Sequence, residues 1–129
     1  MTFASLLALG SCSEDSNMPK PLVIDNSLTE AEKAEGKFTA EIMWKMGRIG
    51  EHALSPDGTT LLYTLTRYNM EENRGITIIV SRNLVTGEEV ELTDLEATSV
   101  SPVWSADGAD IWFATTRSGD MQLWKMQAD

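Results

Sequence analysis

An internal repeat with a period of fifty residues constrains the fold of this chain more than any other feature. The tetrad S-P-D-G at residues 55–58 returns as S-A-D-G at residues 105–108, and residues 55–67 align with residues 105–117 without a gap. A fixed period of roughly 20–50 residues is typical of repeat architectures, propeller blades among them. We therefore expect a fold built from repeated units.

Each repeat is predicted to open with a tight turn that leads into a strand. In S-x-D-G the aspartate can accept hydrogen bonds from backbone amides, and the glycine supplies a positive φ. The pairs Leu61/Tyr63 and Ile111/Phe113 then alternate along the chain, so each pair should face one side of its strand. The blade-turn residues are Ser55, Pro56, Asp57, Gly58, Ser105, Asp107 and Gly108.

Further strands are predicted after each of these. The β-branched run 76–80 predicts a third strand of the first unit, and 89–93, after a turn at 85–88, predicts a fourth. Residues 121–126 take the place of the third strand in the second unit, where no fourth is expected. Because a propeller blade has four antiparallel strands, the predicted fold class is all-β, a partial β-propeller of about one and three-quarter blades.

Two short helices are predicted ahead of the strands. The capping-box pattern at 27–30 predicts a helix over 29–35, and a second helix is predicted over 39–46. Apolar residues of the second helix are expected to form one buried stripe, namely Ile42, Met43 and Met46. The predicted domains are a truncated lipoprotein signal (1–12), a linker with short helices (13–48), blade 1 (49–98) and an incomplete blade 2 (99–129).

The first twelve residues are predicted to form a targeting signal rather than part of the folded domain. A short apolar run at 3–9 precedes L-G-S-C, which resembles a bacterial lipobox, so Cys12 is the predicted lipidation site. Signal peptides begin with a positively charged region, yet the first basic residue is Lys20. We therefore expect translation to start further upstream. The alternative interpretation is a frayed N-terminus with a chance free cysteine.

Composition excludes several classes of function. Ten Lys and Arg against twenty Asp and Glu give a net charge of −10, which argues against a nucleic-acid partner. One cysteine and one histidine, His52, argue against a zinc site, and Asp107 and Asp110 alone do not make a calcium site. We expect no metal, no cofactor, and contact with a membrane only through the lipid anchor. His52 is interpreted as a partly exposed strand residue.

The blade pattern is similar to that of TolB-type and prolyl-oligopeptidase-type propellers. Residues 103–113 resemble their W-S-P-D-G-x-x-I-x-F pattern, with Ala106 in place of proline. The lead-in at 42–50 resembles bacterial members of the prolyl oligopeptidase family, in the dipeptidyl and acylaminoacyl peptidase branch. The resemblance covers residues 28–129. It implies the N-terminal β-propeller fragment of a secreted or lipid-anchored serine exopeptidase, whose propeller gates substrate access.

The chemistry of that family is serine acyl transfer, which needs a G-x-S-x-G nucleophile with a later Asp and His. This sequence contains no G-x-S-x-G, so we assign no catalytic residue and expect the chain to be inactive alone. Peptide substrates would be bound through a hydrolase domain outside the sequence. The alternative is a non-catalytic TolB-type propeller lipoprotein that binds proteins or ligands in the cell envelope. Either interpretation implies a periplasmic or outer-membrane-anchored protein.

The resemblance suggests one possible role for two pairs of glutamates. In the dipeptidyl branch of that family, a pair of propeller glutamates holds the amino terminus of the substrate. Glu71 and Glu72 are not assigned to it, since they lie in the first blade whereas the family's motif lies further along the chain. Carboxylates in loops are usually solvated. Glu88 and Glu89, in a blade turn, are set aside for the same reasons.

Overall fold

The structure, a computed structural model, describes residues 22–128 and contains two short helices followed by seven strands. The predicted lipobox with Cys12 lies outside the described residues. Within them, no helix is long and apolar enough to cross a membrane. The elements are α1 (Glu30–Glu35), α2 (Ala40–Lys45), β1 (Arg48–Leu54), β2 (Thr60–Asn69), β3 (Arg74–Asn83), β4 (Glu89–Glu91), β5 (Ser99–Trp104), β6 (Asp110–Thr115) and β7 (Gln122–Gln127).

The strands form two antiparallel sheets, each in the order of the chain. Sheet 1 has the order β1-β2-β3-β4 and sheet 2 has the order β5-β6-β7. Each first pair carries an irregularity at the corresponding place, between Ile49 and His52 in β1 and between Val100 and Val103 in β5. The prediction of a mainly β chain with two antiparallel sheets is confirmed.

The last strand of sheet 1 is shorter than predicted, because a side chain replaces the backbone ladder. β4 ends at Glu91, while the prediction extended it to Thr93. The amide of Leu92 donates to the carbonyl of Ile79 (2.8 Å), and the amide of Ile79 donates to the hydroxyl of the buried Thr93 (2.9 Å). A hydroxyl can therefore satisfy a ladder donor where the strand has already turned away.

The capping box lies two residues later than the predicted one. The hydroxyl of Thr29 accepts from the amide of Glu32 (3.2 Å), and the carboxylate of Glu32 accepts from the amide of Thr29 (2.8 Å). Ser27, the predicted cap, instead donates through its amide and hydroxyl to Asp25 (3.0 and 2.6 Å). The prediction of a Ser27–Glu30 box was wrong, since a nearer carboxylate engages the serine.

The buried stripe predicted on α2 is also wrong. Met43 and Met46 are 39% and 55% exposed, and no residue of this six-residue helix is buried. The helix packs through Trp44, whose ring meets that of Tyr68 edge to face at 5.2 Å between centroids. The guanidinium of Arg48 lies 4.5 Å from the centroid of Trp44 and 5.1 Å from that of Tyr68. Such aromatic and cation–π contacts anchor a helix too short to bury a stripe.

One hydrophobic cluster covers the face of sheet 1 that Leu61 and Tyr63 share, which we call its front face. Leu22, from the segment before α1, packs into this cluster, so the N-terminal segment covers the front face. The buried members are Leu22, Tyr63, Ile76, Ile78 and Val80.

A second cluster fills the space between the two sheets. Leu62 and Ile79 project from the back face of sheet 1, and Ile111 and Phe113 project from the front face of sheet 2. None of the four is more than 4% exposed. Ile111 and Phe113 are the repeat counterparts of Leu61 and Tyr63, so each sheet packs its front face onto the layer that precedes it in the chain.

We predict that Leu62→Ala lowers the free energy of unfolding by about 2–5 kcal/mol, because it opens a cavity in the cluster between the sheets. Urea denaturation followed by circular dichroism measures the change. Leu84→Ala is the matched control, since Leu84 is 48% exposed in a turn and should cost much less. Equal effects of the two substitutions would contradict the assignment of the core.

Candidate functional site

The first S-x-D-G motif forms a turn closed by its own side chains. The hydroxyl of Ser55 donates to Asp57 Oδ1 (2.6 Å), and the amide of Thr59 donates to the same oxygen (3.0 Å). The amide of Thr60 donates to the hydroxyl of Ser55 (2.9 Å). Gly58 has a φ of 75°, a conformation that favours glycine. The Ser55 hydroxyl and Asp57 Oδ1 therefore find their hydrogen-bond partners within the turn.

The second motif repeats these three bonds, although Ala109 cannot supply the further hydroxyl bond that Thr59 gives to Asp57 (2.8 Å) in the first. The hydroxyl of Ser105 donates to Asp107 Oδ1 (2.6 Å), and the amide of Ala109 donates to the same oxygen (3.0 Å). The amide of Asp110 donates to the hydroxyl of Ser105 (2.9 Å), and Gly108 again has a φ of 75°. The repeat seen in the sequence is therefore also a repeat of hydrogen bonds.

Both turns line one polar cleft of about 300 Å³ between the sheets, together with Trp104. The hydroxyl of Ser55 lowers the pKa of Asp57, and that of Ser105 lowers the pKa of Asp107; backbone amides add to both effects. Within residues 22–128, no group of three or more His, Cys, Asp or Glu side chains is placed to hold a metal ion. Their hydrogen bonds show that Asp57 and Asp107 close the two turns.

Polar contacts join the two sheets at their first strands. The carboxylate of Glu51 accepts from the amide of Ser101 (2.7 Å), the residue fifty positions later in the repeat. The indole nitrogen of Trp104 donates to the carbonyl of Ala53 (3.2 Å). The Glu51–Ser101 bond lies at the strand irregularities, and the Trp104–Ala53 bond lies just beyond them. The two bonds together fix the register between the sheets.

The back face of sheet 2 is apolar and exposed. Trp112 lies opposite Val103 in β5 and Lys125 in β7, with the ammonium of Lys125 5.7 Å from the ring centroid of Trp112. Val103, Trp112 and Leu123 are 57%, 40% and 69% exposed. Sequence reasoning missed this surface, although the fifty-residue offset aligns Trp112 with the apolar Leu62.

A second cleft, of about 540 Å³, opens between α2, the hairpin that joins β2 to β3, and the segment before α1; we call it the lead-in cleft. Lys45 in its wall donates to Glu32 (2.8 Å), which ties α2 to α1 and lowers the pKa of Glu32 to about 2. The lining residues are Val23, Ile24, Asp25, Asn26, Ala40, Glu41, Trp44, Lys45, Tyr68, Asn69, Met70 and Glu71.

The glutamate pairs occupy unlike environments. Glu71 lines the lead-in cleft, whereas the amide of Glu72 donates to the side chain of Asn69 (3.0 Å) in the exposed hairpin turn. Glu89 accepts from the hydroxyl of Tyr63 (3.0 Å) and from Arg82 (2.8 Å), and these bonds lower its pKa. Tyr63 and Arg82 thus hold Glu89 in a structural role within sheet 1.

The remaining chemical candidate from the sequence is the lone histidine. His52 lies exposed on β1, opposite Tyr63 in the sheet register. Its side chain makes no hydrogen bond within the described part of the chain, so the structure brings no serine or aspartate to it as a catalytic partner there.

No protein-family model matches the chain, but individual proteins do. It is 36% identical over 86 residues to dipeptidyl-peptidase 5 of Porphyromonas gingivalis, which covers 67% of this chain and 13% of that protein. It is 32% identical over 99 residues to dipeptidyl-peptidase 5 of Porphyromonas endodontalis, covering 77% of this chain and 14% of that protein. The chain thus spans about one seventh of these relatives.

Solved structures show a likeness both to TolB proteins and to acylaminoacyl peptidases. A protein described as TolB from Agrobacterium tumefaciens matches with a TM-score of 0.51 and 30% identity, over 65% of this chain and 27% of that one. An acylaminoacyl peptidase of Pyrococcus horikoshii matches with a TM-score of 0.55 and 25% identity, over 66% and 13%. The expected resemblance to prolyl oligopeptidase-type peptidases with TolB-like blades is confirmed.

We predict that the substitutions Asp57→Asn and Asp107→Asn together lower stability at neutral pH and that this difference shrinks in acid. A carboxylate with a lowered pKa stabilises the fold above its ordinary pKa of 3.8 and loses that contribution as the pH falls through its folded value. Urea midpoints of both proteins between pH 7 and pH 2 measure the difference. Other carboxylates are common to both proteins and cancel.

Asp120→Asn is the matched control, because Asp120 is an exposed turn carboxylate without a hydrogen bond within the described residues. It should shift the midpoint little at any pH. A stability difference for the turn variant that stays constant down to pH 2 would refute the role of these carboxylates.

Proposed function

We propose that this chain supplies the N-terminal part of a β-propeller in a longer bacterial serine exopeptidase of the prolyl oligopeptidase family. In this proposal the protein is secreted or held in the envelope by a lipid on Cys12, and the propeller limits which substrates reach a separate hydrolase domain. The likeness to dipeptidyl-peptidase 5 of Porphyromonas gingivalis supports the peptidase. The way the two sheets stack supports the propeller.

The observation that carries the propeller is the repeated direction of packing. The front face of sheet 1, with Tyr63, is covered by the segment at Leu22, and the front face of sheet 2, with Phe113, is covered by the back face of sheet 1. A chain in which each unit packs its front onto the previous back can be extended by the same rule, as in propellers and other repeat arrays.

The same rule accounts for the exposed back face of sheet 2. Leu62 and Ile79 are fully buried on the back face of sheet 1, whereas their counterparts Trp112 and Leu123 are 40% and 69% exposed. Contiguous apolar surface of this kind marks an interface. We propose that a third sheet of the same repeat covers it in the longer protein.

In this proposal the described residues form a scaffold and take no part in the chemical steps. Acyl transfer needs a serine nucleophile, a histidine base and an aspartate that orients the histidine. His52 has no such partners within residues 22–128, so the proposal assigns every chemical step to a domain outside this chain. The role left to the chain is to shape the path to that domain.

A non-catalytic TolB-type propeller is the second candidate, supported by the 30% identity and TM-score of 0.51 to the Agrobacterium protein. Such a protein would bind partners in the cell envelope without hydrolysing them. The coding sequence of the whole gene distinguishes the two. A downstream G-x-S-x-G with a later histidine supports the peptidase, and further S-P-D-G repeats followed by a stop codon support the second candidate.

We predict that Trp112→Asp destabilises the product of the whole gene by about 3–5 kcal/mol, since a third sheet would leave the new charge buried and unpaired. In the 129-residue chain, where Trp112 is 40% exposed, the cost should stay below about 1 kcal/mol. Denaturant unfolding of both proteins measures this. Val85→Asp, at an 80% exposed turn position, is the control and should be mild in both. Equal costs of Trp112→Asp in the two proteins would contradict a covering sheet.

We also predict that the purified 129-residue chain hydrolyses no aminoacyl-proline chromogenic substrate, because it contains no nucleophile motif. The product of the whole gene should hydrolyse such a substrate and lose that activity when the serine of its G-x-S-x-G is changed to alanine. Activity of the short chain that survives repeated purification would overturn the division of labour proposed here.

A further inference from the structure

The lead-in cleft has features of a ligand site that neither the propeller nor the peptidase proposal uses. Its walls come from the segment 23–26, from α2 and from the β2–β3 hairpin, and its volume of about 540 Å³ suits a side chain with part of its backbone.

Negative charge dominates this cleft. Asp25, Glu41 and Glu71 all line it, whereas its one lysine, Lys45, is already bound by Glu32 outside the wall (2.9 and 2.8 Å). Hydrogen bonds from Ser27 lower the pKa of Asp25, and bonds from its own amide and from Thr39 lower the pKa of Glu41. These two carboxylates therefore remain ionised at neutral pH.

Aromatic and apolar groups stand beside the carboxylates. Trp44 and Tyr68 line the cleft, and both rings contact the guanidinium of Arg48, so the wall already binds one planar cation and leaves the remaining ring edges to a ligand. Even with Arg48 counted, the carboxylates remain in excess. Val23 and Met70, 75% and 55% exposed, offer apolar surface to a methylene stem.

A buried donor also lacks a partner here. The side-chain nitrogen of Asn26, in the wall of the cleft, is buried and has no hydrogen-bond partner within residues 22–128. Buried polar groups are nearly always paired. A rotation of this side chain would present the donor to the backbone carbonyl of a bound peptide.

We propose that the lead-in cleft binds an arginine side chain of a peptide segment. The guanidinium would lie between the carboxylates of Glu41 and Glu71, and the methylene stem would pack on Met70. Arginine suits the site better than lysine, because its planar fork binds carboxylates in pairs and stacks on aromatic rings.

The test is calorimetric titration of the 129-residue chain with the peptide acetyl-Ala-Arg-Ala-amide at about 0.15 M salt, where long-range attraction is screened. The isosteric peptide with citrulline in place of arginine keeps the shape and removes the charge. We expect saturable binding of the arginine peptide, weaker binding of the lysine peptide and no binding of the citrulline peptide.

Variants locate the site. Glu41→Gln with Glu71→Gln should weaken binding by about tenfold or more, since each removes a charged hydrogen-bond acceptor. Glu35→Gln with Glu88→Gln removes the same charge from exposed carboxylates outside the cleft and should leave binding within about twofold of the unchanged protein. Circular dichroism confirms that both pairs fold, as exposed Glu→Gln changes should.

Three results would overturn the proposal. They are absence of arginine-peptide binding, equal binding of the citrulline peptide, and equal weakening by the two variant pairs, which would mean attraction to net charge alone. Amide shifts in nuclear magnetic resonance give an independent reading, because the arginine peptide should perturb Trp44 and Asn69 before residues of sheet 2.

Discussion

The contact between the two sheets is the interaction on which the rest of the structure depends. Leu62 and Ile79 meet Ile111 and Phe113 in one buried cluster, and burial of apolar surface is the main favourable term in folding. Once these faces meet, Glu51 can reach Ser101 and the two S-x-D-G turns come to line one cleft. The polar bonds then set the register of a contact that the apolar residues provide.

Features specified by neighbouring residues could be predicted from the sequence, and features that need distant partners could not. The turn at Asp57 was predictable because its donors lie within three residues. The capping box could not be placed from the local pattern, since Ser27 and Thr29 each precede a glutamate by three positions. Only the carboxylate of Asp25 decides which of them caps the helix.

The lead-in cleft could not be predicted because no local pattern describes it. Its walls join segments that lie up to about fifty residues apart, and Glu71 lines it because the β2–β3 hairpin forms one of these walls. A loop carboxylate considered alone is usually solvated, and by that rule Glu71 has no predicted role. The structure adds the aromatic pair Trp44 and Tyr68 beside it, and this neighbourhood changes what the carboxylate can bind.

The two ends of this stack of sheets differ, and the difference favours an order of folding during synthesis. Leu22 closes the front face of sheet 1, so the first layer can complete its core as soon as Leu95, the last member of that cluster in the chain, has left the ribosome. Sheet 2 then forms on an existing template, while its own back face, with Trp112, stays partly exposed in the described part of the chain. During synthesis the N-terminal part of a chain is the first that can fold. The segment at Leu22 thus gives the two described layers a first surface on which they can assemble in chain order.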